Sequence, residues 1–151
     1  LSEQIKVIAN NRKAHHDYFI NDKYECGIVL TGTEIKSIRL GRVNLKESYV
    51  QIKNNEVFII GMHIAIYEQG NQFNHDETRT RKLLLHRHEI RKIDKEVSQK
   101  GMTLVPLRLY IKNGKAKVEI GVAKGKKLYD KRETEKERDI QRDLQKEYKL
   151  R

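Results

Sequence analysis

The sequence predicts a mainly β protein, a small antiparallel barrel with two or three short helices and a charged C-terminal tail. Three observations lead there. Apolar runs with strand-like patterning recur between residues 18 and 122, and two are closed by Asn-Asn or Asn-Gly turns. Helical periodicity within that span is confined to short stretches. Past residue 122 no core-forming pattern returns. A chain of 151 residues suits one domain with an extension, here a body of residues 1–129 and a tail of residues 130–151.

Residues 1–14 read as polar and weakly patterned. Tyr18-Phe19-Ile20 is a short apolar strand, and Asn21-Asp22 a turn signal. Gly27-Ile28-Val29-Leu30 is a compact buried strand. Gly32-Thr33 marks a helix entry with Thr33 as cap; Ile35 and Ile38 share a face, and Gly41 ends the helix. Tyr49–Lys53 and Glu56–Ile60 form a hairpin around Asn54-Asn55, a pair that tolerates positive φ. Met62–Tyr67 alternates as a further strand, and residues 69–82 form a long aperiodic loop. From Leu83 to Lys100 the period is helical, with Ile90, Ile93 and Val97 on one face and Gly101 as the stop. In the last hairpin Val105, Leu107, Leu109 and Ile111 face one way, while Arg108 and Tyr110 face the other. Asn113-Gly114 makes the turn, and Val118, Ile120 and Val122 point inward.

The tail has its own order. Glu135, Asp139, Asp143 and Glu147 recur every four residues, as do Arg138, Arg142 and Lys146, and Ile140, Leu144 and Tyr148. On a helix these are three slowly drifting stripes. Acid–base pairs three apart contribute only tenths of a kcal/mol each, and a lone helix of this length is marginal in water. The expectation is a tail that is disordered when free and helical when bound.

Charge narrows the class of partner. The net charge is +11, from 32 basic and 21 acidic residues. The tail after residue 132 is balanced, so the excess lies on the body and on the run Ala123-Lys124-Gly125-Lys126-Lys127-Leu128-Tyr129-Asp130-Lys131-Arg132. A positive field of this kind attracts polyanions, nucleic acid before membrane, because no apolar run approaches bilayer length. Cys26 is the sole cysteine, which excludes an intrachain disulfide and fits a reducing cytoplasm. The first residue is Leu1, so a short native N-terminus is expected to precede it.

Enzyme signatures are absent: no P-loop, no dinucleotide fingerprint, no Gly-x-Ser-x-Gly. His15, His16, His63, His75, His86 and His88 lack i, i+4 ligand spacing, which argues for no metal and no cofactor. Phosphate-binding signals are stronger. Arg79, Arg81 and Lys82 form a basic cluster, which also fits a solvated charge run. Arg108, Tyr110 and Lys117 place cations beside a ring on an outward sheet face, the mixture that single-stranded RNA uses, though an ordinary polar face has the same letters. Lys124, Lys126 and Lys127 flank Gly125, where backbone amides can approach phosphate.

At these residues the chain resembles the small protein B (SmpB) family, the SsrA-binding proteins. The matching strings are Asn11-Arg12-Lys13-Ala14, His16-Asp17-Tyr18-Phe19-Ile20, Gly32-Thr33-Glu34-Ile35-Lys36-Ser37-Ile38-Arg39 and Ser48-Tyr49-Val50. They continue with Asn74-His75-Asp76, Arg79-Thr80-Arg81-Lys82-Leu83-Leu84-Leu85-His86, Thr103-Leu104-Val105-Pro106-Leu107, and Val118 through Arg132. The resemblance implies an oligonucleotide-binding (OB-fold-like) β-barrel and a non-catalytic, cytoplasmic, monomeric RNA-binding protein, one per transfer-messenger RNA (tmRNA). It implies binding to the tRNA-like domain of tmRNA, delivery of the alanyl form with elongation factor Tu, and a tail placed in the empty message channel of stalled ribosomes. By the same resemblance His16, Glu25, Leu84 and Lys117 are RNA-binding positions, and Asp130, Lys131 and Arg132 act on the ribosome; the basic stripe Arg138, Arg142 and Lys146, read from the tail's four-residue spacing, is expected to act with them. Glu25 would accept hydrogen bonds from base amino groups or orient a cation, and Leu84 could equally be core. His15 and Ile66-Tyr67 depart from the family pattern locally. A stable structural ribosomal protein would have a similar composition.

Overall fold

The computed structural model describes residues 4–126. Among the described residues nine strands and three α-helices follow one another. Strand β1 (Ile5–Asn10) leads into α1 (Arg12–Asp17), then the long β2 (Tyr18–Ile28) and α2 (Gly32–Arg39). Short β3 (Val43–Asn44) precedes the hairpin β4 (Tyr49–Lys53) and β5 (Glu56–Ile60), and β6 (His63–Ile64) pairs back onto β3. A 3-10 turn (Glu68–Phe73) leads to β7 (Arg81–Leu84), α3 (Arg87–Lys100), β8 (Thr103–Lys112) and β9 (Lys115–Gly125).

Seven strands form one antiparallel sheet in the order β1-β8-β9-β2-β7-β5-β4. The sheet is not closed, which corrects the barrel expectation. β9 is paired on both edges, by β8 and β2, and the C-terminal half of β8, Arg108 to Lys112, by β9 and β1. β1 and β4 therefore end the sheet as edges, and β4 approaches the N-terminal half of β8 without a ladder.

The hairpin turns follow the local chemistry. Asn54 (φ 52°) and Asn55 (φ 61°) both take the left-handed conformation, as do Asn113 and Gly114, giving tight turns whose twist matches the flanking strands. Other elements depart from the sequence expectation. Tyr18 to Ile28 is one strand; Asn21 is an extra residue where the register against β9 shifts between Ile20 and Asp22, so the expected turn is a bulge. The cap of α2 is Thr31, not Thr33. Its hydroxyl accepts from the Glu34 N–H at 3.4 Å, and the Glu34 carboxylate accepts from the Thr31 N–H at 2.8 Å. Leu83 and Leu84 belong to a strand, and α3 starts only at Arg87, capped by the Glu89 carboxylate on the His86 N–H at 3.0 Å. Ile5–Asn10, polar and weakly patterned in sequence, form an edge strand.

The main core lies between one face of the sheet and helices α2 and α3. Cys26, Val57, Ile59, Leu83, Leu109, Val118, Ile120 and Val122 meet Ile38 and Ile93 there, all essentially inaccessible. A register shift at Leu107 splits β8 between two faces. Leu109 joins the main core, while Val105 and Leu107 pack with Ala14 and Ala123 under α1. The expectation that Val105 through Ile111 line one face is thus corrected by a bulge beside Pro106, a residue with no N–H to give to a ladder. Gly121 lies under this second cluster, where a Cβ would come within 3.0 Å of Ile20 and 3.1 Å of Leu107. Asn11 ties α1 down: its carboxamide donates to the Pro106 carbonyl at 2.8 Å and accepts from the Ala14 N–H at 3.3 Å.

Candidate nucleic-acid interface

The register across three strands builds the site. Lys117 on β9 stands opposite Gly27 on β2, and Gly27 stands opposite Leu84 on β7. Directly opposed side chains share a sheet face at roughly 5 Å, so three segments remote in sequence converge on one row. With Glu25, Leu85, His86 and Glu89 they line an open cleft of about 520 Å3 on the face away from the main core. Gly27 is the floor. A Cβ there would come within 3.3 Å of the Leu84 Cβ, closer than ordinary contact, so the row needs glycine to let Leu84 lie across it.

Leu84 is about half exposed (49%), whereas Leu83 is buried, so Leu84 belongs to the surface. Glu25 receives an ion pair from Lys112 at 3.1 Å, the cation-orienting geometry that the sequence left open. Tyr110 also engages Glu25; burial, then the nearby Glu25 and Glu119 carboxylates, pushes its hydroxyl up to about 12. Arg108 covers the Tyr110 ring at 4.5 Å and pairs with Glu119 at 3.3 Å. Tyr110 is 2% exposed, so its ring is not open for base stacking as the strand pattern had suggested. Three cleft residues, Gly27, Leu85 and Glu89, are not among the candidates that the sequence offers. Their letters carry no signal without the strand register. His86 also lines the cleft, and its ring stacks on His88 at 5.5 Å.

The basic cluster at the end of the long loop divides. The Arg81 guanidinium is fully buried and bonds Glu34, the Met62 carbonyl at 2.6 Å and the Glu77 carbonyl at 3.2 Å. Arg79 donates to Glu34 at 2.6 Å and to the Val29 carbonyl at 3.1 Å. Burial alone pushes the Glu34 carboxyl up. The hydrogen bonds from Arg79, the Thr31 N–H and Arg81, with the Arg81 charge, outweigh it and hold the group at about 2. Arg79 and Arg81 therefore fasten the loop to α2, and Arg81 offers no charge to a ligand. Lys82 points outward, 44% exposed, with Glu56 at 3.5 Å.

His16 and the lysines after β9 lie elsewhere. Tyr18 opposes Gly125 and Phe19 opposes Lys124, so this end of β2 is nine residues, roughly 25–30 Å, from Gly27. His16 is exposed, with Asp17 at 3.0 Å. Lys126 stands over the half-exposed Phe19 ring at 4.8 Å, an aromatic–cation contact that the sequence reading did not single out. The structure thus brings Glu25, Leu84 and Lys117 together and sets His16, Lys124 and Lys126 apart. Lys127, Asp130, Lys131, Arg132, Arg138, Arg142 and Lys146 lie outside the described residues.

Among the described residues no group of three or more His, Cys, Asp or Glu side chains is placed to hold a metal ion. Burial pushes the Cys26 thiol far above its ordinary range, which disfavours the thiolate. No helix among the described residues is long and apolar enough to cross a membrane.

An open sheet face with convergent polar and apolar side chains, on a strongly basic chain, is the kind of surface that suits a polyanionic partner. The chain belongs to the SmpB family, whose sequence profile ("SmpB protein") matches residues 8–150. It is 63% identical over 146 residues to the SsrA-binding protein of Geobacillus kaustophilus (strain HTA426), covering 97% of this chain and 94% of that one. It is 62% identical over 147 residues to the SsrA-binding protein of Acetivibrio thermocellus, covering 97% and 96%. A solved structure described as "tmRNA-SmpB: a journey to the center of the bacterial ribosome" superposes with a TM-score of 0.65 at 48% identity, over 78% of this chain and 83% of its counterpart.

Proposed function

We propose that this protein binds the tRNA-like domain of transfer-messenger RNA, the SsrA RNA, and acts in trans-translation as a ribosome-rescue factor. The observation that carries the reading is the convergence of Glu25, Leu84 and Lys117, three positions matched to family RNA contacts, from β2, β7 and β9 onto one open cleft. The cleft has the parts for a splayed base: an apolar surface in Leu84, acceptors in Glu25, and a cation in Lys117 for the adjoining phosphate. Close similarity to proteins named SsrA-binding over nearly the whole chain supports the same reading.

The finer mechanism extends this. Residues 1–129 hold the RNA, with Lys124, Lys126 and Lys127 adding charge at the edge. Residues 130–151 enter the empty message channel of the small subunit and fold there, using Asp130, Lys131 and Arg132 and the Arg138, Arg142 and Lys146 stripe. One protein monomer accompanies each tmRNA, whose alanyl form arrives with elongation factor Tu in the cytoplasm. Peptide transfer is left to the ribosome, so the protein itself needs no cofactor and catalyses no step. The deciding experiment is capture of RNA on the purified protein from a bacterial lysate, followed by sequencing. Enrichment of tmRNA supports the reading; recovery of bulk ribosomal RNA in its place would refute it.

A further inference from the structure

Leu84 and Leu85 also line a second depression, on the other side of the Leu84 ridge. This groove, about 490 Å3, runs between the tip of the β4–β5 hairpin and the first two turns of α3. Its charge differs from that of the cleft, where Lys112 already pairs with Glu25. The cleft carries two carboxylates, Glu25 and Glu89, against one ammonium, Lys117. The groove carries three cations, Lys82, Arg87 and Arg91, against one carboxylate, Glu56. Arg87 and Arg91 are one helical turn apart, both exposed, so one helix face presents two guanidinium groups to the same space. Asn54 and Asn55 close the far wall.

The cleft alone offers little net charge to a nucleic-acid backbone, because Glu25 is paired with Lys112 and Glu89 offsets Lys117. We propose that the Lys82–Arg87–Arg91 groove is a phosphodiester-binding subsite. The RNA strand crosses the Leu84 ridge, with a base and its adjoining phosphate at the Glu25–Lys117 cleft and further phosphates of the same strand in the groove. Guanidinium groups suit this role because they bind phosphate oxygens through paired donors. The inference rests on the RNA-binding reading above and divides its labour: the cleft selects, and the groove supplies much of the charge-driven affinity.

The test measures binding of a synthetic tRNA-like domain to the full chain across a salt series, for the wild type, Arg87→Gln/Arg91→Gln and Glu56→Gln. Each phosphate contact contributes roughly 0.7 to 0.9 to the slope of log affinity against log salt. The double variant should therefore flatten the slope by about 1.4 to 1.8. Glu56→Gln frees Lys82 from its partner and should tighten binding at low salt. Glu56 is 47% exposed and both arginines are exposed, so the fold should persist, which thermal melting checks. If the double variant does not fold, Glu56→Gln alone decides. A wild-type slope in the double variant, or unchanged or weaker binding by Glu56→Gln, overturns the groove. Absence of binding to the tRNA-like RNA by the wild type itself would instead overturn the proposed function.

Discussion

Glu34→Gln removes the charge from the most deeply buried carboxylate while keeping its shape. In the wild type Glu34 is 0% exposed and accepts from the Arg81 and Arg79 guanidinium groups and the Thr31 N–H. Its carboxyl is held at about 2, against 4.5 for the free group. By linkage that difference corresponds to about 3 kcal/mol of stability. The direction is fixed by the depressed value: the contribution is complete above about pH 4.5 and is lost as the pH falls from there towards 2. The glutamine variant forfeits it at every pH and also leaves the Arg81 cation buried without a counter-charge. Breaking such a pair from one side costs about 3–5 kcal/mol. Urea unfolding followed by circular dichroism at pH 7 and pH 3 measures both effects. The variant should be destabilised by about 3–5 kcal/mol at pH 7, with a shallower fall in stability between the two pH values. A variant within about 1 kcal/mol of wild type at pH 7, with the wild-type fall retained, would refute the assignment of Arg79, Arg81 and Glu34 as the anchor of the loop.

Three further outcomes follow from the site. Lys117→Ala should weaken binding to the tRNA-like RNA and flatten its salt dependence by somewhat under one log unit per log of salt, read by fluorescence anisotropy; an unchanged slope means Lys117 meets no phosphate. Leu84→Ala should melt within a few degrees of wild type, because the side chain is half exposed, yet bind the RNA several-fold more weakly, and Gly27→Ala should do the same by shifting Leu84. Deleting residues 130–151 should leave RNA affinity nearly intact while abolishing peptide tagging in a reconstituted stalled-ribosome assay; a large loss of affinity would reject the division of body from tail.

What the sequence revealed depended on how local the signal was. Asn54-Asn55 and Asn113-Gly114 declare their turns in two letters, and both hairpins form where those letters place them. Gly101 likewise ends α3 in the left-handed conformation expected of it. Bulges were invisible, because one inserted residue flips the alternation. Leu107 therefore looked like a partner of Leu109 but faces Ala14, and Asn21 looked like a turn. The apolar run Leu83-Leu84-Leu85 fits a buried strand or a helix equally well, and only pairing with Ile28 and Val57 decides. β1 escaped notice because an edge strand with Ile5 and Val7 half exposed and a shift at Ile8 has neither clean alternation nor a closing turn. Arg81 reads like any surface cation; its burial follows from Glu34, 47 residues away. The resemblance supplied Glu25, Leu84 and Lys117 one by one. Their meeting in a single cleft, and the absence of His16 from it, follow from strand register alone.

The central claim is selective recognition of the tRNA-like domain of tmRNA by the cleft on β2, β7 and β9. Its most direct measurement is competition, at physiological salt, between that domain and an unrelated folded RNA of equal length, for the wild type and for Glu25→Ala. The account predicts a preference of roughly 100-fold or more for the tRNA-like domain, as specific nucleic-acid binding requires, falling sharply in the variant. Equal affinity for the two RNAs, or a preference that survives Glu25→Ala unchanged, would contradict it.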